Sequence, residues 1–249
     1  MLVKSTTRPI PVRIALFALP LFVLTPLMLN NFLGPPGPVI LISVSATAGI
    51  LAGMVARRFL ARHPRGTRAR AGCCEVPTAI LWGLIAWRWH IGDLPTWWLP
   101  TAALYAWFAV SLAVVDFRER RVPDVITLAG YPVFGCTLTL AAVAVAASGH
   151  SWKPLVWNAI LGATAFLAIH ATIHLVHPPS LGAGDVKLSV PLGALLGAVD
   201  LIALPLALTL AAVITLALAV AAPRTLRTRW RSGIPHAPGM LAATALFVL

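Results

Sequence analysis

Seven carboxylates are the whole acidic inventory of this 249-residue chain: Glu75, Asp93, Asp116, Glu119, Asp124, Asp185 and Asp200. Two of them sit where chemistry is the better explanation. Asp116 ends an apolar run that starts at Leu104. A carboxylate at the C-terminal end of a helix opposes the helix dipole, and a cation would be the comfortable choice there. Asp185 lies in Ser180-Leu-Gly-Ala-Gly-Asp-Val-Lys187. The two glycines permit a tight turn of close approach, and the apolar run that follows makes Asp185 an N-cap or first-turn residue of a helix. If the two helix ends share a side of a membrane, the carboxylates share a depth and need only packed helices to meet. Two carboxylates over one water are the parts of an aspartic protease. Like charges a few ångströms apart do not both ionise, so one accepts a proton from water while the other donates to the scissile carbonyl. The apparent pKa values of such a pair belong to the dyad.

The rest of the chain says what positions them. Hydrophobic residues make up 59% and charged residues 10%, against about 25% charged in a soluble domain. Mean hydropathy is +0.88. This excludes a water-soluble domain, and the composition equally excludes collagen-like, disulfide-rich and disordered chains. An all-α, polytopic membrane helix bundle remains. Nine apolar segments can be marked: Val12–Leu33, Pro38–Ala56, Glu75–Ile91, Pro95–Val115, Val125–Ala147, Leu155–His177, Ala183–Val199, Leu201–Ala222 and His236–Leu249. A span needs about 20 residues, and the seventh and ninth are short, so eight to nine spans are expected. Val12–Leu33 reads as a retained helix rather than a cleaved signal. The expected organisation is an extra N-terminal helix in 1–37, a helix and short basic loop in 38–74, and a core in 75–249.

The net charge of +12 comes from arginines in alternate gaps: Arg57 to Arg70, Arg118 to Arg121, and Arg224 to Arg231. The positive-inside rule places these gaps, and both aspartates, in the cytoplasm. Nucleic acid is not an expected partner; no motif supports it. Trp87, Trp89, Trp97, Trp98, Trp152 and Trp157 read as an interfacial belt. Gly49-x-x-x-Gly53 and Gly193-x-x-x-Gly197 permit close helix approach, a weak signal because glycine is common in such helices. Pro20, Pro26, Pro132, Pro191 and Pro205 interrupt apolar runs. Cys73, Cys74 and Cys136 form no disulfide framework and read as small reduced hydrophobes.

Among the other polar groups, Asp124 after Pro123 reads first as a helix cap, with a role in holding the Asp116 loop as the alternative. Glu75 suits a helix start and is also a candidate to face the site. Lys187 either snorkels to the surface, balances the dyad or meets an acidic substrate group. Glu119 reads as locally paired, and Asp93 and Asp200 as solvated. His170, His174 and His177 share one helical stripe. Packing or hydrogen bonding is the plain reading. A metal site, and with it a hydrolase or a metal- or proton-linked transporter, is the alternative class.

Asp116-Phe-Arg-Glu-Arg-Arg-Val-Pro-Asp-Val-Ile-Thr127 and Gly182-Ala-Gly-Asp-Val-Lys-Leu188 resemble the two signatures of the prepilin peptidase family, membrane aspartyl proteases of the GxGD type. The resemblance runs roughly from Glu75 to the C-terminus, and Ile234-Pro-His-Ala-Pro238 resembles the family's closing segment. It implies Asp116 and Asp185 as the catalytic pair, with Gly182, Gly184, Lys187, Pro123, Asp124 and Glu75 in support. It implies no cofactor and no metal at the dyad. It implies cleavage of a basic leader from type IV prepilin-like proteins, after a glycine and at the cytoplasmic face of the plasma or inner membrane. Long members of the family add a zinc-binding domain with two CxxC pairs and a methyltransferase activity. The loop Arg57–Cys74 offers only Cys73-Cys74, which cannot supply four thiolates, so a short, peptidase-only form is expected. A homo-oligomer is compatible with this reading. The rival within the family is a non-catalytic pilus-assembly scaffold.

Overall fold

A computed structural model describes residues 37–63, 65–178, 181–223, 230 and 234–249. The expected helix Val12–Leu33 and the arginine cluster Arg224, Arg227, Arg229 and Arg231 lie outside them. The described residues are helical and contain no strand. The helices are α1 Pro38–Arg62, α2 Glu75–His90, α3 Leu99–Glu119, α4 Asp124–Ala147, α5 Lys153–Val176, α6 Ala183–Val199, α7 Ala203–Ala221 and α8 Ala237–Val248, with a 3-10 turn, Thr96–Trp98, leading into α3.

Five of these are long and apolar enough to cross a membrane: α1, α3 with its leading turn, α4, α5 and α7. The expected eight to nine spans are thus met by five among the described residues. Helices α2, α6 and α8 hold 16, 17 and 12 residues. At 1.5 Å per residue they reach about 18–26 Å, short of a hydrocarbon core of about 30 Å.

Helix α3 is the axis. Within its apolar window 78% of residues are buried, against 22% for α5 and α7. The outer helices turn large apolar side chains outward instead, Val143, Trp157 and Leu216 among them, as apolar surroundings allow. Polar tips of aromatic residues knit neighbours to the axis. The Trp82 and Trp107 indoles donate across the α2–α3 and α1–α3 contacts to the carbonyls of Ala103 and Ala52, both at 3.0 Å. Trp98 donates to Val248 at 2.9 Å, and the Tyr105 hydroxyl donates to Leu241. Such bonds are worth about 0.6 kcal/mol each between membrane helices. Trp98 is therefore a core residue, 4% exposed, and leaves the expected interfacial belt; a carbonyl at the end of α8 satisfies its N–H. Trp87, Trp152 and Trp157 stay exposed.

Both glycine pairs mark real seams. A Cβ at Gly53 would lie 2.5 Å from the Glu75 Cα, and one at Gly49 2.7 Å from the Ala79 Cα. On α6, a Cβ at Gly193 or Gly197 would meet the carbonyl oxygens of Gly162 and Asn158 at 2.4 and 2.1 Å. The α1–α2 and α5–α6 pairs are thus in backbone contact. The partner glycine, Gly162, is not part of either sequence motif. Pro132 and Pro191 sit inside α4 and α6.

Candidate functional site

Asp116 occupies the last turn of α3. The helix stops at Arg120, whose left-handed backbone (φ 50°) turns its N–H back to the Asp116 carbonyl at 2.8 Å. The Asp116 side chain points inward and is 4% exposed. The backbone amide of Ala237 lies beside its carboxylate, which is also within electrostatic reach of Asp185 and Arg120. Oδ2 has no hydrogen-bond partner among the described residues. Ala237 is the first residue of α8, so the carboxylate that opposes the dipole of its own helix faces the positive end of another.

Asp185 is the third residue of α6, 8% exposed. Its Oδ2 accepts the N–H of Gly182, the cap residue, at 3.3 Å, while its own N–H donates to the Gly182 carbonyl at 3.0 Å. This is the first-turn acid that the sequence suggests. Gly184 packs against the first signature: a Cβ there would sit 2.9 Å from the Val122 Cβ. Only a glycine lets the Asp185 turn close on the loop that follows Asp116.

The supporting residues divide. Lys187 Nζ pairs with Asp124 Oδ1 at 2.8 Å, and Tyr131 donates to the Lys187 carbonyl at 2.8 Å. The second signature is thereby latched to the start of α4. Asp124 is the first residue of α4, with Pro123 in the cap position. Its carboxylate joins the two signatures instead of serving only its own helix, and Arg65 approaches its other oxygen at 3.8 Å. Pro123 supplies the carbonyl that takes the N–H groups of Ile126 and Thr127, both at 3.1 Å. Glu75 is clamped by Arg57 at 2.6 Å and by the N–H groups of Gly72 and Cys74 at 2.9 and 3.3 Å. These contacts seat the start of α2 against α1. Glu119, expected to pair locally, accepts from Thr67 at 2.7 Å, 52 positions away. The short basic loop therefore lies over the first signature. Within it, burial above all, then the neighbouring Glu75 and Cys73, push the Cys74 thiol up to about 12.

The histidine stripe does not converge. The His170 ring is buried against Phe166, while His174 Nδ1 lies 2.7 Å from the Leu181 carbonyl and so braces the turn before Asp185. Among the described residues no group of three or more His, Cys, Asp or Glu is placed to hold a metal ion. Two participants lie in the closing segment Ile234-Pro-His-Ala-Pro238 but are not singled out there as site residues. Ala237 acts through its backbone, and His236 beside it contacts Thr215 at 3.0 Å.

No curated protein and no solved structure matches the chain. The model of the type IV leader peptidase family matches residues 103–220. The match is narrower than the stretch from Glu75 to the C-terminus; it spans both aspartates and stops short of α8. A family of prepilin peptidases and five helices of spanning length agree on a membrane protein that acts as a peptidase. Over residues 103–220, which include both aspartates, the chain is similar to the type IV leader peptidase family.

Proposed function

We propose that the chain is a prepilin peptidase of the GxGD aspartic type, with Asp116 and Asp185 as its two catalytic carboxylates. The carrying observation is that the ends of α3 and α6 bring these two buried groups within electrostatic reach, on a chain similar to the leader peptidase family. The chemistry needs no covalent intermediate and no cofactor. One carboxylate, ionised, takes a proton from water as the oxygen attacks the scissile carbonyl. The other, protonated, gives its proton to that carbonyl, and the pair returns a proton to the leaving amine. The two roles belong to the pair rather than to one named carboxylate, and Asp116 Oδ2 has no hydrogen-bond donor among the described residues.

In this reading the substrate is a type IV prepilin-like protein with a basic leader, cut after glycine at the cytoplasmic side of the plasma or inner membrane. The substrate's own apolar helix lies in the bilayer beside the enzyme. The leader is cationic, so the arginines serve topology and anionic lipid rather than attraction. The short loop, which offers only Cys73 and Cys74, supports a peptidase without the methyltransferase.

The test is co-expression with prepilins of the same genome and mass measurement of the pilin N-terminus. The reading expects cleavage after glycine by wild type, with no added methyl group, and none by Asp116→Asn or Asp185→Asn. Cleavage that survives either change overturns the dyad, and a methylated product overturns the peptidase-only form.

A further inference from the structure

His170 and His236 take no part in the chemistry above, yet both reach into the bundle beside it. Their protonation follows from their neighbours. The Thr215 hydroxyl donates its proton to the Ala211 carbonyl at 2.7 Å. It must therefore accept in its 3.0 Å contact with His236 Nδ1, which makes Nδ1 the protonated nitrogen of that ring. His170 Nδ1 lies 2.8 Å from the Phe166 carbonyl. A carbonyl only accepts, so this Nδ1 carries a hydrogen as well. His170 Nε2 is buried with no hydrogen-bond partner. Both rings are satisfied as neutral imidazoles whose remaining nitrogen is a lone pair.

This arrangement fixes the first turn of α8. At Gly239 a Cβ would lie 2.3 Å from Thr215 Oγ1 and 2.6 Å from the Ala211 carbonyl. The helix start is thus pressed onto the same two residues of α7 that hold the His236 ring. The next residue after His236 is Ala237, whose N–H meets Asp116.

We propose that His236 is a positioning residue for Asp116: seated on Thr215 beside His170, it holds the start of α8 so that the Ala237 N–H reaches the carboxylate, and a proton on the histidine pair releases that hold. The proposal rests on the reading of Asp116 as catalytic. The ionisable group facing His236 is His170 from α5; from α7 the neighbour is the neutral Thr215, and Asp116 on α3 takes the backbone amide rather than the ring. Among the described residues no carboxylate contacts the ring: Asp116 lies by the Ala237 amide, and Asp185 is on α6, which also packs against α8. Burial first, and His170 second, hold the His236 ring below the usual imidazole range. A ring forced to ionise must move toward water, and α8 moves with it.

The experiment uses the full chain in lipid nanodiscs with a purified prepilin. His236→Asn keeps an N–H donor near the Nδ1 position and cannot ionise; His236→Leu removes the donor. The expected results are a wild-type kcat that falls about ten-fold from pH 7.5 to 5.5, a flatter profile for His236→Asn, and about a ten-fold kcat loss at every pH for His236→Leu with KM little changed. A His236→Asn profile that superimposes on wild type overturns the proposal, as does full activity of His236→Leu. If wild type cleaves no prepilin, the proposed function fails and the histidine seat is read separately, from side-chain 15N shifts. Two neutral Nδ1–H rings, with His236 taking its proton at higher pH in His170→Asn, uphold the seat; a charged or Nε2–H His236 at pH 7.5 overturns it.

Discussion

The two aspartates reach the same place by opposite routes. Asp185 is held by its own helix, three residues from the cap whose N–H it accepts. Asp116 sits at the wrong end of its own helix and is held by the start of α8, 121 positions away (237 minus 116). Each carboxylate thus meets a helix N-terminus, one locally and one through the tertiary fold. The local arrangement survives small displacements of neighbouring helices; the distant one depends on α8 staying seated against α3 and α7.

The sharpest break in this comparison is chemical. Asp116→Asn and Asp185→Asn should each lower prepilin cleavage by about a thousand-fold or more while the chain stays folded, read from product mass and circular dichroism. Equal losses mean that the two routes deliver one dyad; a mild loss for either leaves only the other as a catalytic group. Gly184→Ala comes next. Its Cβ must displace Val122 at the contact between the signatures, which costs about 1–3 kcal/mol. A fall of at least about ten-fold in kcat is expected, and unchanged kinetics would show that the signatures need not touch so closely.

The distant route should also be the acid-sensitive one. The folded chain holds His236 below its ordinary range, so the unfolded chain takes that proton first. Stability present near neutral pH is then lost as pH falls below about 6.5. Thermal unfolding of wild type should show this drop, and His236→Asn should lessen it. The smallest effect belongs to the latch. Lys187→Ala leaves Asp124 half-exposed and still near Arg65, so about 1 kcal/mol or less is expected, with a modest rise in KM as its kinetic trace.

What was legible in the sequence follows the same division. Asp185, its two glycines and the apolar run after it form one local pattern, and the structure keeps that pattern. Asp116 was conspicuous because its charge conflicts with a helix C-terminus, but nothing near it in the chain names the resolution, since Ala237 contributes a backbone amide. Lys187 and Asp124 each carried a surface or cap reading beside a role near the dyad, but never with each other as partner; an ion pair spanning 63 positions has no local signature. Trp98 was assigned by type to the interface, where the fold uses its N–H inside. Gly193 and Gly197 carried a motif, while Gly162, the surface they close upon, carried none. Span count was the weakest inference, because apolar segments below 20 residues pack as readily as they cross.

The amide that steadies Asp116 has a consequence for the life of the molecule. At about 5–20 residues per second, the ribosome adds Ala237 roughly 6–24 s after Asp116. Throughout that interval a nascent chain carries both aspartates with the partner of one still unmade. A message broken before that codon, or a clip just ahead of it, would yield a protein with both signatures and an unsteadied pair. On the proposed reading, α8 thereby acts as a checkpoint on manufacture: a chain stopped before it carries both signatures without the amide that lies beside Asp116.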